Sequence, residues 1–330
     1  MKAIVINHYG GIDELHLREY PKPMPKRGEV LIEIYATSVN PIDWKVREGH
    51  LKNRLAFHFP IILGWDAAGI IRKVGAEVED FEVGDRVFTR PATTEKGTYA
   101  EYIAVHQDLV AKLPENIPFT YAAAVPLAGL TAWQCLVDFA DIEKGDRVLI
   151  HGGAGGVGSF AIQIAKAKGA TVMATGRSKS IEIIEQLGAD RALNYITDSF
   201  DGIKDSFDIV LDTIGGETQE KSYDLLKNGG VLISVAQPPD QGRAKKKGVK
   251  AGFVWLEPNG KQLKKLAELM KVGQIKPLID TVFPFGEKEL KEAHEKSQEG
   301  HAKGKIVIEI KKEAAGIYDE SGALHSGRID

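Results

Sequence analysis

The sequence predicts an α/β chain in which a doubly wound parallel sheet, drawn from residues 121–282, is inserted into a β-rich domain made of residues 1–120 and 283–310. Three observations carry this. A glycine-rich turn, D-R-V-L-I-H-G-G-A-G-G-V-G over 146–158, joins a short apolar run to a helical pattern. From Tyr121 onward, apolar strand-like runs alternate with helical ones. Before that point the apolar residues alternate at period two.

In chain order, Lys2–Ile6 alternates weakly, V-L-I-E-I-Y within 29–36 alternates clearly, and 67–74 is a further strand. Pro21, Pro23 and Pro25 break any helix and set an extended connection. Gly84–Phe88 reads as a turn entering a strand, and T-Y-A-E-Y-I-A-V over 98–105 alternates again. Pro114 and Pro118 punctuate the boundary. Beyond it, strands centre near Leu149, Val172, Ala192, Ile209, Leu232 and Val254, with helices near Ile162, Ile183, Tyr223 and Leu266. Near Phe283-Pro284-Phe285 the pattern changes; a short helix over 290–298 precedes a strand over 304–310 that returns to the first domain. Residues 311–330 read as a mobile polar tail.

The turn is where chemistry enters. Gly153, Gly155 and Gly158 satisfy G-x-G-x-x-G between strand and helix, the context of a Rossmann dinucleotide site. Residues Gly153, Ala154, Gly155, Gly156, Val157 and Gly158 would bring backbone and a helix N-terminus up to a pyrophosphate. The expected jobs are a tight turn at Gly153, close approach of phosphate at Gly155, and close helix–strand packing at Gly158. An NAD site places an acid about 20 residues later. Here no acid occurs between Gly158 and Glu182, and the next strand ends in Gly176, Arg177 and Ser178. A guanidinium and a hydroxyl suit a 2′-phosphate, so NADPH is the expected cofactor. Lys179 is either a further phosphate contact or a solvated lysine.

The totals set limits. The net charge of -3 gives no global field for nucleic acid or an anionic membrane, and no apolar run approaches a membrane span. The run Arg243–Lys247 reads as a solvated loop. The N-terminus enters a strand directly, without a secretory or transit pattern, and a single cysteine, Cys135, fits a reducing cytoplasmic setting.

Several separated segments carry a resemblance. They are T-S-V-N-P-I-D-W-K (37–45), L-G-W-D-A-A-G (63–69), V-G-D-R-V-F (83–88), G-T-Y-A-E-Y (97–102) and P-L-A-G-L-T-A-W (126–133). With the glycine turn, they resemble the zinc-free quinone oxidoreductase branch of the medium-chain dehydrogenase/reductase superfamily, from Met1 to about Ile310. The resemblance implies a GroES-like catalytic domain split around the Rossmann domain, and a homodimer formed through the edge strand near Phe253. Zinc-dependent members hold a metal at positions matched here by Asn40, Trp65 and Leu127, of which Trp65 and Leu127 carry side chains that cannot ligate zinc, so no metal is expected. His50, His58 and His106 read as surface residues.

The resemblance further places Asn40 and Asp43 in the active-site cleft, Asn40 bonding an amide or carbonyl oxygen and Asp43 either acting there or orienting the loop. Lys45 and Trp65 would line the mouth, with core packing an equal account of Trp65. Thr131 would lie near the nicotinamide, Tyr195 over the adenosine phosphate, Ser234, Val235 and Ala236 beside the nicotinamide half, and Phe253 and Val254 over its amide. Lys303 and Lys305 would meet the cofactor or lie in solvent. Related enoyl thioester reductases carry a tyrosine just after the glycine that here is Gly49; this chain has His50, with Tyr99 as a candidate substitute donor. The expected function is metal-independent transfer of hydride from NADPH to a quinone or α,β-unsaturated carbonyl. The alternative is an NADPH-binding regulatory or structural protein without turnover.

Overall fold

The computed structural model describes residues 1–313, so the polar tail expected over 311–330 lies, beyond Glu313, outside the described residues. The chain forms two compact units, one made of Met1–Leu127 and the chain from Pro258, the other of Ala128–Glu257.

The second unit holds six parallel strands, in the spatial order Arg191–Asn194, Thr171–Gly176, Arg147–Ile150, Phe207–Asp212, Leu226–Ser234, Lys250–Phe253. Numbered along the chain, that is 3-2-1-4-5-6, the doubly wound order whose switch point lies beside the first strand. Val148, Leu149 and Ile150 are fully buried, as a strand covered on both faces requires. Helix Gly156–Ala167 follows the glycine turn and buries Phe160, Ile162 and Ile164.

The first unit is β-rich. Its long strand Glu29–Val39 pairs antiparallel with Ala67–Val74, with Tyr102–His106 and with Lys305–Glu309. The strand that returns late in the chain thus sits beside one that forms early, as an insertion demands. Arg86–Thr89 continues the sheet beyond Ala67–Val74. A smaller sheet pairs Lys2–Ile6 with His16–Glu19 and Ile61–Ile62.

The division of the chain differs from the expected boundaries at 120 and 282. Helix Gly260–Lys271, assigned from its pattern to the nucleotide-binding part, packs on strand Val110–Lys112 of the first unit. Gly260 allows the approach, since a Cβ there would meet the carbonyl oxygens of Asp108 and Val110 at 2.6 Å. The stripe Leu263, Leu266, Ala267 and Met270 shows which face is buried, but its periodicity does not say against what.

Candidate active site

In the second unit the glycine turn divides its labour differently from the expectation. The left-handed residue is Gly152, at φ +70°, whereas Gly153 has no positive φ and is confined by packing, a Cβ there meeting that of Ala174 at 2.8 Å. At Gly158 a Cβ would strike the carbonyl oxygen of Gly152 at 2.2 Å, so the helix lies close against the turn itself, where packing on the strand was expected. Gly155 caps the helix in extended conformation, and a Cβ there would meet only the Gly152 carbonyl oxygen, at 3.2 Å. Gly155, Gly156 and Val157 remain partly exposed where the first-turn N–H groups lack intrahelical acceptors. Ala154 is buried. The turn is also braced from behind. His151 is buried between Thr175 (3.3 Å) and Ser222 (3.1 Å), and burial lowers its pKa to about 4, so it is neutral.

The corner at the end of the second strand brings Arg177, Ser178 and Tyr195 together. Arg177 Nε donates to Tyr195 Oη (2.8 Å), and Ser178 Oγ accepts from Asn194 (2.8 Å). Arg177 and Ser178 are exposed, and Tyr195 is half exposed, so the guanidinium's outer edge faces solvent beside an aromatic ring. Asn194 was not singled out in the sequence, where nothing distinguishes it from a turn residue.

At the carboxyl end of Phe207–Asp212, the buried Asp212 carboxylate accepts from the backbone of Ile214 (2.9 Å) and Gly215 (2.8 Å), from Gln219 (3.1 Å) and from Ser234 Oγ (2.8 Å). Ser234 therefore ties two loops together, and its oxygen also accepts from the N–H groups of Ala236 and Gln237. Val235 and Ala236 present backbone just beyond it, and Val254 N–H returns to the Ser234 carbonyl. Phe253 and Val254 are partly buried, and Thr131 is 6% exposed within helix Pro126–Trp133.

The first unit gathers its polar residues at one end of its sheet. Strand Glu29–Val39 ends at Asn40, Ala67–Val74 begins after Asp66, Arg86–Thr89 ends before Arg90, and the returning strand begins at Lys305. Because these strands are neighbours in the order returning strand, long strand, third strand, fourth strand, the residues Lys305, Asn40, Asp66 and Arg90 form a row of cation, amide, anion, cation. All four are at most 3% exposed. Asn40 Nδ2 donates to Asp66 Oδ2 (2.7 Å), and Lys305 Nζ donates to Asn40 Oδ1, to the Val39 carbonyl (3.3 Å) and to Asp66 Oδ2 (3.4 Å). Asp66 also accepts from Ser38 Oγ (2.6 Å) and from the backbone of Leu127 (2.7 Å). Lys305 is thus buried and bonded, burial lowering its pKa while the charges of Asp66 and Asp43 oppose that shift; of the two places expected for it, solvent is excluded. Lys303 is tied through its backbone to Asp280 (2.9 Å). Arg90 donates to the Pro91 carbonyl, its Nε is buried without an acceptor, and burial lowers its pKa to about 10 against the fields of Asp66 and Asp43.

N-P-I-D is legible as a helix start. Asn40 is the N-cap, Pro41 opens helix Pro41–Arg47, and Asp43 at N3 accepts from the Asn40 N–H (2.8 Å). The same Asp43 oxygen accepts from Tyr99 Oη (2.6 Å), while Asp43 Oδ1 is buried without a partner. Burial, reinforced by the charge of Asp66, pushes Asp43 up to about 7. Behind Tyr99 stand His294 (3.1 Å) and then Arg47 (3.0 Å). Trp65 is fully buried, stacked on Phe57 at 6.1 Å with its N–H on the Thr94 carbonyl (3.2 Å); it packs the core and offers no open face at a mouth. Lys45 is partly exposed, its ammonium 5.5 Å from the Trp44 ring centre.

Comparison with known proteins places this geometry. Residues 26–115 match the alcohol dehydrogenase GroES-like domain family and 187–308 the zinc-binding dehydrogenase family. The chain is 36% identical to the NADPH-dependent alkenal/one oxidoreductase of Arabidopsis thaliana chloroplasts, over 93% of this chain and 79% of the relative. It is 32% identical to the human quinone oxidoreductase, over 93% and 97%. The Escherichia coli quinone oxidoreductase solved with NADPH superposes with a TM-score of 0.82 at 28% identity, over 94% of this chain and 100% of that one. The chain belongs to the medium-chain dehydrogenase/reductase superfamily, in its quinone oxidoreductase branch.

For a member of an oxidoreductase family, the donor set of this row is informative. Asp66 Oδ2 accepts from Ser38, Asn40 and Lys305, and Oδ1 accepts from Leu127, which contributes its backbone N–H rather than a side chain. A carboxylate so engaged does not suit a divalent cation. Among the described residues, no group of three or more His, Cys, Asp or Glu side chains converges as a ligand set, and no helix is long and apolar enough to cross a membrane.

Proposed function

We propose that this chain is an NADPH-dependent reductase that transfers hydride, without a metal, to a quinone or an α,β-unsaturated carbonyl. The observation that carries the reading is the row Lys305–Asn40–Asp66–Arg90, where the Asp66 carboxylate is engaged by the Asn40 amide and the Lys305 side chain. The glycine turn would hold the pyrophosphate, and Arg177, Ser178 and Tyr195 the 2′-phosphate. When bound, NADPH supplies the hydride. The chain's own part is to position and polarise: Asn40 keeps a second amide N–H for an acceptor oxygen, and the surrounding burial keeps that donor out of water. Acceptors that take hydride without a strong Lewis acid fit such a site. The names of the relatives, alkenal/one and quinone oxidoreductases, support this acceptor class.

The reading extends to a reducing, cytoplasmic setting, consistent with Cys135 being a free, buried thiol, and to a homodimer paired along the edge strand Lys250–Phe253, which has a strand on one side only. The test is loss of reduced-nicotinamide absorbance with p-benzoquinone, phenanthrenequinone and a short 2-alkenal, NADPH and NADH in parallel, with and without EDTA. NADPH-selective turnover that EDTA leaves unchanged supports the reading. Tight NADPH binding without turnover on any acceptor supports the regulatory alternative.

A further inference from the structure

The Asn40 amide is held from both sides by groups of opposite character. Its oxygen faces Lys305 Nζ, which can only donate, and its nitrogen faces Asp66 Oδ2, which accepts. The amide therefore has one orientation, and its backbone N–H is fixed as well, on Asp43. One N–H of Nδ2 remains. An ammonium on the amide oxygen draws electron density from the nitrogen, so that remaining N–H is a stronger donor than a free carboxamide provides, and the low-dielectric surroundings sharpen the effect. The Lys305 side chain is enclosed, at 3% exposure, and its ammonium bonds Asn40 Oδ1, the Val39 carbonyl and Asp66.

We propose that Lys305 is a positioning residue for hydride transfer, acting through Asn40: it fixes the amide and polarises the N–H that receives charge developing on the acceptor oxygen. The inference rests on the reductase reading above. In reduction of an enone, hydride brings its electron pair to the β-carbon, the C=C pair moves to form the enolate, and the carbonyl π pair comes to rest on oxygen. A solvent proton later forms the C–H bond at the α-carbon. The negative oxygen is the atom Asn40 would face. An enone concentrates that charge on one oxygen, whereas a quinone spreads it over a ring that becomes aromatic. The contribution of Lys305 is therefore larger for the enone.

The test compares wild type with Lys305→Gln, Lys305→Arg and the double variant Asp66→Asn/Lys305→Met, the last leaving the net charge of the row unchanged. The readouts are kcat and KM for a 2-alkenal and a benzoquinone, the NADPH dissociation constant by fluorescence, and the thermal midpoint. Expected for Lys305→Gln is a fall in alkenal kcat of at least about tenfold, the loss typical of a displaced supporting partner, with a smaller fall for the quinone and an unchanged NADPH constant. Lys305→Arg restores part of the alkenal rate, and the double variant restores stability but not rate. Equal losses for both acceptors, or an alkenal rate that returns with the double variant, would overturn the inference by reducing Lys305 to a structural counter-ion. Absence of turnover in the wild type would instead remove the reductase reading on which it rests.

Discussion

His294 Nε2 lies 3.1 Å from Tyr99 Oη, although 195 residues separate them, and both side chains are fully buried. Arg47, which can only donate, occupies the other ring nitrogen at 3.0 Å, so Nδ1 accepts and Nε2 carries the proton. The bonds then run in one direction: Arg47 to His294, His294 to Tyr99, Tyr99 to Asp43. This line ties helix Glu287–Glu299 to the start of helix Pro41–Arg47, and through Asp43 to the backbone of Asn40.

A pH dependence of stability follows. Burial, with the Arg47 charge, lowers His294 to about 3, and burial lowers His151 to about 4, from an ordinary 6.5. Below pH 6.5 the unfolded chain takes up these two protons and the folded chain does not, so stability present above 6.5 is lost as pH falls toward 4. Asp43, raised from 3.8 to about 7, works the other way: its contribution is full below 3.8 and is lost as pH rises through 7. Around pH 5 the two histidines outweigh the one aspartate by about one proton, so these groups lower stability by about 1 kcal/mol per pH unit on acidification. Urea midpoints at pH 7, 6 and 5 should show this slope in wild type and nearly none of it in His294→Gln.

Tyr99→Phe removes the donor to Asp43 and the acceptor of His294, and should cost about 2–4 kcal/mol in chemical denaturation. Because the Tyr99 hydroxyl already donates its hydrogen bond to Asp43, the solvent isotope effect on turnover should not change. A lost isotope effect would make Tyr99 the proton donor after all.

Arg177→Glu replaces the fork beside Tyr195 with a charge that repels a 2′-phosphate and suits ribose hydroxyls. The kcat/KM for NADPH should fall by about 10–100-fold while that for NADH holds or rises. Parallel losses for both nucleotides would show that this corner does not read the phosphate.

Gly158→Ala sets a Cβ against the backbone oxygen of Gly152 at 2.2 Å, where nothing flexible can yield, whereas Gly155→Ala meets only that oxygen at 3.2 Å. The first should lose more than about 2 kcal/mol of stability. The second should stay folded and lose NADPH affinity, read by fluorescence titration.

The parts of this molecule governed by local rules were legible in the sequence. The glycine turn, the six-strand rhythm and the Arg177–Ser178 pair each depend on residues close together in the chain. The rest depends on strand neighbours and burial. The row Lys305–Asn40–Asp66–Arg90 exists because four strand ends, up to 265 residues apart, are adjacent in one sheet, and no spacing along the chain encodes that. Lys305 looked like a solvated or cofactor-facing lysine because strand Lys305–Glu309 is buried on both faces, which erases the alternation that would have marked it. Trp65 and helix Gly260–Lys271 show the same limit, a buried face being readable and its partner not. His294 did carry a signal: in an otherwise polar helix it falls on the stripe with Leu290 and Ala293, at the spacing of a core face.

The most direct test of the central claim is where the hydride goes. Chelator-treated protein is incubated with NADPH deuterated at the transferred position of C4 and a 2-alkenal, and the product is analysed by NMR. The account predicts a saturated aldehyde carrying deuterium on the former β-carbon. Deuterium on the carbon of an alcohol product would mean carbonyl reduction and would contradict the account. Activity that vanishes with the chelator and returns with zinc would contradict it as well.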